Sequence, residues 1–100
     1  MNFAFEDKAC FRLYTEEIGA KEYPKGVVDA FFEVMLIIDG AKDIRDLYAL
    51  KGLRVEKLKG SEWKRGERSL RLNEQYRLIF ILERDEHGPH ILVVSLTDYH

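Results

Sequence analysis

Ser69-Leu70-Arg71-Leu72-Asn73-Glu74-Gln75-Tyr76-Arg77-Leu78-Ile79-Phe80 is the stretch on which the fold turns. Polar and apolar residues alternate through Ser69–Leu72, and Tyr76–Leu82 is a β-rich run, so the segment predicts two strands around a polar turn. Residues opposed across an antiparallel pair lie on the same face. If Leu70 and Leu72 share the core face with Tyr76 and Leu78, the loop must contain an odd number of residues. Asn73-Glu74-Gln75 meets that demand. It pairs Leu72 with Tyr76 and Leu70 with Leu78, and it sets Arg71 directly opposite Arg77. Two guanidiniums so placed repel one another unless something anionic lies near them. The register therefore predicts a neighbouring anion, either a carboxylate from elsewhere in the chain or a phosphate.

Beyond this hairpin, Ile91–Thr97 is another β-rich run, and Asp85-Glu86-His87-Gly88-Pro89 predicts the turn that joins it to Tyr76–Leu82. Toward the N-terminus the period changes. Val27–Asp39 has helical spacing, with Val27, Phe31, Val34, Met35 and Ile38 in one stripe and Gly40 at the cap position. Val28, Phe32, Leu36 and Ile37 carry apolar surface well past that stripe. Such a helix is either covered on two sides or kept for a partner. Asp7 is placed to cap an earlier helix bearing Cys10, Phe11, Tyr14 and Ile18, closed by Gly19. Asn2–Phe5 predicts a short first strand, Ala20–Gly26 a connection, and Asp43–Leu50 a short helical turn. Helices first and an antiparallel meander after make an α+β fold, with N-terminal helices packed on a small, mainly antiparallel twisted sheet.

One hundred residues are the size of a single domain spanning 1–100. Hydrophobic residues at 46% and charged residues at 34% are an ordinary globular balance and exclude a disordered chain. The one cysteine, Cys10, rules out an internal disulfide, and its apolar neighbours Ala9 and Phe11 predict a buried thiol rather than a nucleophile. Val34–Ile38 is the longest apolar run, far below the ~20 residues of a membrane span. Residues 1–8 show no basic start followed by an apolar stretch. The expectation is a cytoplasmic domain without a membrane partner. Net charge is −2, but it is unevenly spread. Residues 51–77 hold nine basic and four acidic side chains, whereas the segments on either side are acidic. A polyanion responds to such clustering more than to the total.

His87 and His90 sit at i, i+3 in a turn beside Glu86, without a cysteine pair or a two-histidine helical motif, so neither a metal site nor a cofactor is expected. The last three residues differ in kind. Asp98-Tyr99-His100 supplies an acid, an aromatic and the side chain that titrates near neutrality, and Glu56, Lys59, Arg71 and Arg77 come from the same meander.

Three segments, Arg54-Val55-Glu56-Lys57-Leu58-Lys59-Gly60, the Ser69–Phe80 hairpin and Asp98-Tyr99-His100, resemble in order and spacing the HigB toxins of the RelE/ParE superfamily of type II toxin–antitoxin systems. The second half of the chain is closely similar; the helical first half is similar in architecture only. The resemblance implies a RelE-like fold and a ribosome-dependent endoribonuclease that cuts mRNA in the decoding site, silenced by a HigA-like antitoxin. By motif position it implies functional roles for Lys59, Arg77, Asp98, Tyr99 and His100. Glu56 stands where some members have histidine and others glutamate. Arg54, Lys57, Arg68 and Arg71 are the accompanying RNA-binding candidates. These toxins are usually strongly basic, and the acidic overall balance departs from that.

Cutting RNA without a metal needs a base for the 2′-hydroxyl, an acid for the 5′-oxygen and cations for the phosphorane. Arg77 suits the last of these; Tyr99 would stack on or orient the nucleotide and Asp98 would orient His100. Lys59, Glu56 and His100 compete for the roles of base and acid, which stay open. Two other readings share parts of this pattern. One is a ParE-like toxin that binds DNA gyrase without cutting RNA. The other is a non-catalytic module built on the apolar helix 27–38, whose partner is an antitoxin or a second copy forming a homodimer.

Overall fold

Asn73 shapes the central turn. Its Oδ1 accepts hydrogen bonds from the backbone N–H groups of Gln75 (2.8 Å) and Tyr76 (2.6 Å), an Asx turn that reverses the chain within the three-residue loop. Leu72 then donates to the Tyr76 carbonyl at 3.0 Å. The computed structural model, which describes residues 1–60 and 66–98, places β3 (Arg68–Arg71) against β4 (Tyr76–Asp85) with Leu70 opposite Leu78 and Arg71 opposite Arg77. That is the register the odd loop demands.

β5 (Gly88–Asp98) returns antiparallel along β4. Asp85 pairs with Gly88, so the turn contracts to Glu86-His87 and Pro89 belongs to the strand. The contraction has two local causes. Asp85 Oδ1 accepts from the His87 N–H at 2.8 Å, and Gly88 takes a φ of +106° that other residues adopt only at a cost. Further along, Ile79 pairs with Ser95 but Phe80 with Val93, leaving Val94 as a bulge. The extra residue shifts the alternation, so both Val93 and Leu96 reach the helix-covered core.

Among the described residues the sheet has five strands in the order β1-β5-β4-β3-β2, where β1 is Asn2–Phe5 and β2 is Glu56–Lys57. β1 runs parallel to β5 and the remaining pairs are antiparallel. α1 (Lys8–Glu16) begins where the Asp7 carboxylate accepts from the Cys10 N–H at 3.2 Å. It closes at Glu17, in the left-handed region at φ 56°, two residues before the expected Gly19. Gly19 instead opens the short 3-10 turn Ala20–Glu22. α2 spans Lys25–Gly40, longer at both ends than its apolar stripe, because Pro24 presets the entry and Ala41 rather than Gly40 closes it. α3 is Ile44–Ala49, capped by Asp43, which accepts from the Arg45 N–H at 2.8 Å.

All three helices cover the same face of the sheet. Cys10, Leu13, Phe31, Val34, Met35, Ile38 and Leu47 pack against Leu70, Leu78, Phe80, Ile91 and Val93. The α2 stripe is buried, and Phe32 is half-covered by Tyr14, whose ring stacks on it at 6.1 Å. Cover on two sides thus accounts for most of the helix's apolar surface. The exception is Leu36, 73% exposed, with Phe11 and Ile18 also more than half exposed.

Burial and a hydrogen bond with Asp7 push the Cys10 thiol up to about 12. A folded state that keeps its proton longer than the unfolded one loses stability from this group only as pH rises above the ordinary thiol range near 8.5. At pH 8, alkylation by iodoacetamide should be slow in the native protein and fast in denaturant. Labelling of the native protein at the rate of a free thiol would contradict the placement of Cys10.

Candidate functional site

Strand alternation divides β4 between two environments. Leu78 and Phe80 face the helices, so Arg77 and Ile79 face the other way, together with Ser69 and Arg71 of β3. Arg77 is nevertheless 8% exposed, a buried cation in a β-sheet. Its charge is met locally. The Arg77 guanidinium donates to the Glu56 carboxylate and, at 3.3 Å, to the backbone carbonyl of Arg54. Glu56 pairs with Ser69 at the start of β2 and reaches Arg77 diagonally across β3. The anion that the Arg71–Arg77 juxtaposition requires is therefore a carboxylate of the chain itself.

Arg54 reaches this position by an unusual backbone. It follows the 3-10 turn Lys51–Leu53 and adopts φ 46°, a left-handed conformation seldom taken by arginine. Arg54, Arg71 and Arg77, with Asn73 and Glu74 of the turn, line an open groove of about 390 Å³ on the helix-free face. Neither Arg54 nor Arg71 forms a side-chain ion pair among the described residues. Three guanidiniums against two carboxylates, Glu74 in the lining and Glu56 on Arg77, leave an excess of positive charge that seats an anion, and arginine forks match the paired oxygens of a phosphate.

The remaining candidates are distributed as follows. Lys57 pairs with Arg68, and Arg68 lies opposite Phe80, so both stand on the helix-side parity, away from the groove. Lys59 is exposed just beyond β2 and does not line the groove. Asp98 pairs with Tyr76, and its Oδ2 accepts from Gln75 Nε2 at 2.9 Å. Thr97 lies opposite Arg77. Tyr99 and His100 lie outside the described residues. The structure thus brings together Glu56, Arg54, Arg71 and Arg77 and adds Asn73 and Glu74 to the groove, with Gln75 next in the turn bound to Asp98; the motifs singled out none of these three for function. The signal for these three was the odd loop itself.

His90 Nε2 is 3.0 Å from Glu83 Oε1, and Nδ1 is 3.5 Å from Asp85 Oδ2. Among the described residues, no group of three or more His, Cys, Asp or Glu side chains is placed to hold a metal ion.

A family model for the HigB-like toxin, the RelE-like toxin of type II toxin–antitoxin system HigB, matches residues 3–100. Toxin HigB-1 of Vibrio cholerae serotype O1 is 35% identical over 80 residues, which are 80% of this chain and 82% of that protein. Among solved structures, the YoeB/ParE toxin from Agrobacterium tumefaciens shares the fold with a TM-score of 0.60 at 16% identity, over 100% of both chains. A chain of the YoeB-YefM complex from Staphylococcus aureus gives 0.57 at 25% identity, over 100% of this chain and 97% of that one.

Removing Glu56 should leave Arg77 in place with its main compensation gone. Glu56→Ala is expected to cost about 1–2 kcal/mol, below the range for fully buried pairs because the Glu56 side chain is 53% exposed. In a domain of this size that lowers the melting temperature by roughly 4–8 °C per kcal/mol. Glu56→Gln, which keeps a hydrogen-bond acceptor, should lose less. Unchanged melting of Glu56→Ala would show that the pair does not hold Arg77.

Proposed function

The chain belongs to the HigB-like family of RelE-type toxins of type II toxin–antitoxin systems, and from that membership we propose that it is a ribosome-dependent endoribonuclease acting on mRNA. The observation that carries the proposal is the arginine groove on the helix-free face, built around a guanidinium buried in the sheet. The contacts that hold this arginine in the fold also orient it toward the groove. A phosphate-binding arginine gains rigidity, because Glu56 and the Arg54 carbonyl hold its fork before substrate arrives.

In this reading the scissile phosphate enters the groove between Arg77, Arg71 and Arg54. The ribose 2′-oxygen attacks the adjacent phosphorus in line, and charge grows on the equatorial oxygens of the phosphorane. Arg77 meets that charge with fixed donors, while Arg54 and Arg71 hold the flanking backbone. The bond to the 5′-oxygen breaks, leaving a 2′,3′-cyclic phosphate and a 5′-hydroxyl. One group takes the proton from the 2′-hydroxyl and another returns one to the leaving oxygen. In this reading the tasks fall among Glu56, Lys59 and His100, with Tyr99 orienting the nucleotide and Asp98 orienting His100. No step calls for a metal ion or cofactor.

A HigA-like antitoxin is the proposed protein partner, and the exposed Leu36, Phe11 and Ile18 offer it apolar contact. A relative solved as a YoeB-YefM complex supports a protein partner for this fold. The proposed place of action is the cytoplasm, where ribosomes translate.

Expression in cells with mapping of mRNA 5′ ends tests the reading. The wild type should arrest growth and create new mRNA ends, and cleavage on programmed ribosomes should leave a 5′-hydroxyl on the downstream fragment. Arg77→Ala and His100→Ala should each lower the cleavage rate by roughly 10²–10⁴-fold. Arg77→Lys, which keeps charge but loses the fork, should fall in between. Growth arrest without new mRNA ends would overturn the proposal in favour of gyrase-type inhibition.

A further inference from the structure

We propose that Gln75 is a positioning residue, whose side-chain amide braces the groove-forming turn against the end of β5 through Asp98. The inference rests on the RNA-cleaving reading, since it concerns the same groove, but it assigns a residue that neither the motifs nor the chemistry of that reading uses.

The geometry is local and specific. Asn73 Oδ1 accepts the backbone N–H groups of Gln75 and Tyr76, which fixes the turn from within. Asn73 and Glu74 line the groove with the three arginines. Gln75 sends Nε2 across the first residue of β4 to Asp98 Oδ2 at 2.9 Å, joining residues 23 apart in sequence. Asp98 is the last residue of β5 and pairs with Tyr76; one step along, Thr97 lies opposite Arg77. The bond therefore ties the start of β4 to the end of β5 one step beyond the Arg77–Thr97 pair. Strand ends open more readily than their middles. A bond there governs where the groove's rim and the end of β5 sit relative to Arg77.

The chemistry of the pair suits a brace. An amide donating to a carboxylate is a charge-assisted hydrogen bond, directional and short. A lysine at position 75 would hold Asp98 as well, yet would add a flexible cation that competes for phosphate beside the groove. A glutamate would repel Asp98. Glutamine secures the carboxylate without altering the groove's charge. Because Gln75 and Asp98 are exposed, the bond contributes little to stability and its effect is one of placement. Displacements of about 1 Å around a reacting phosphate cost on the order of 10²-fold in rate.

The test compares wild type, Gln75→Glu, Asp98→Asn and the double variant Gln75→Glu/Asp98→Asn, which restores the bond with donor and acceptor exchanged at the same length. Two readouts are taken: mRNA cleavage on programmed ribosomes, resolved into kcat and KM, and amide hydrogen exchange across residues 72–78 and 95–98. Gln75→Glu should lower kcat by roughly tenfold or more, leave KM within about twofold, and raise exchange in both segments. The double variant should return exchange to the wild-type level; its kcat is not used as a readout, because Asp98→Asn also removes the carboxylate proposed to orient His100. Unchanged exchange or unchanged kcat in Gln75→Glu, or a double variant that fails to recover exchange, overturns the proposal. If the wild type cuts no RNA, the enzymatic reading fails on its own, and unchanged exchange in Gln75→Glu then overturns the brace.

Discussion

A guanidinium buried in a β-sheet is expensive unless its donors are met, and in this fold the Arg77–Glu56 pair meets that demand. Much of the surrounding structure follows from it. Glu56 stands on the helix-free face within reach of β4, carried there by the short edge strand Glu56–Lys57. The Arg54 carbonyl must point at the same guanidinium, and the chain adopts a left-handed backbone at an arginine to bring it there. The carboxylate also relieves the repulsion that setting Arg71 opposite Arg77 creates. One ion pair thus fixes the edge of the sheet, the turn before it and the floor of the groove.

The division of labour between the two faces comes from the same alternation. Every second residue of β3 and β4 faces the three helices and supplies the core, through Leu70, Leu78 and Phe80. The intervening residues form the other face, where Ser69, Ile79 and Ile81 are buried too and Arg71 and Arg77 bring charge to the end that borders the groove. Because the helices all lie on one side, their cover does not close over the arginines. The fold leaves the groove open, as the proposed substrate, a long RNA, would require.

The hairpin was fully legible. Placing the leucines with Tyr76 and Leu78 demanded an odd loop, and from that alone came the Leu70–Leu78 pairing and the opposed Arg71 and Arg77. The need for an anion there was legible too, but not its source, since Glu56 is 21 residues from Arg77 and reaches it only diagonally. Parity already separated Arg68 from Arg71, although both stood as RNA-binding candidates; the structure sets Arg68 on the helix side. The Val94 bulge was hidden because a shift of alternation in an apolar run leaves no mark on composition. The parallel pairing of β1 with β5 was hidden because it joins the two ends of the chain, and local periodicity carries no information at that distance. The Gln75–Asp98 bond was illegible for the same reason.

The most direct measurement of the central claim is a structure of the toxin on a ribosome programmed with mRNA carrying a 2′-O-methyl group at the cleavage position, which cannot react. The account predicts the scissile phosphate in the groove, within hydrogen-bond distance of the Arg77 guanidinium and flanked by Arg54 and Arg71. RNA bound on the helix-covered side, or a scissile phosphate out of reach of Arg77, would contradict it.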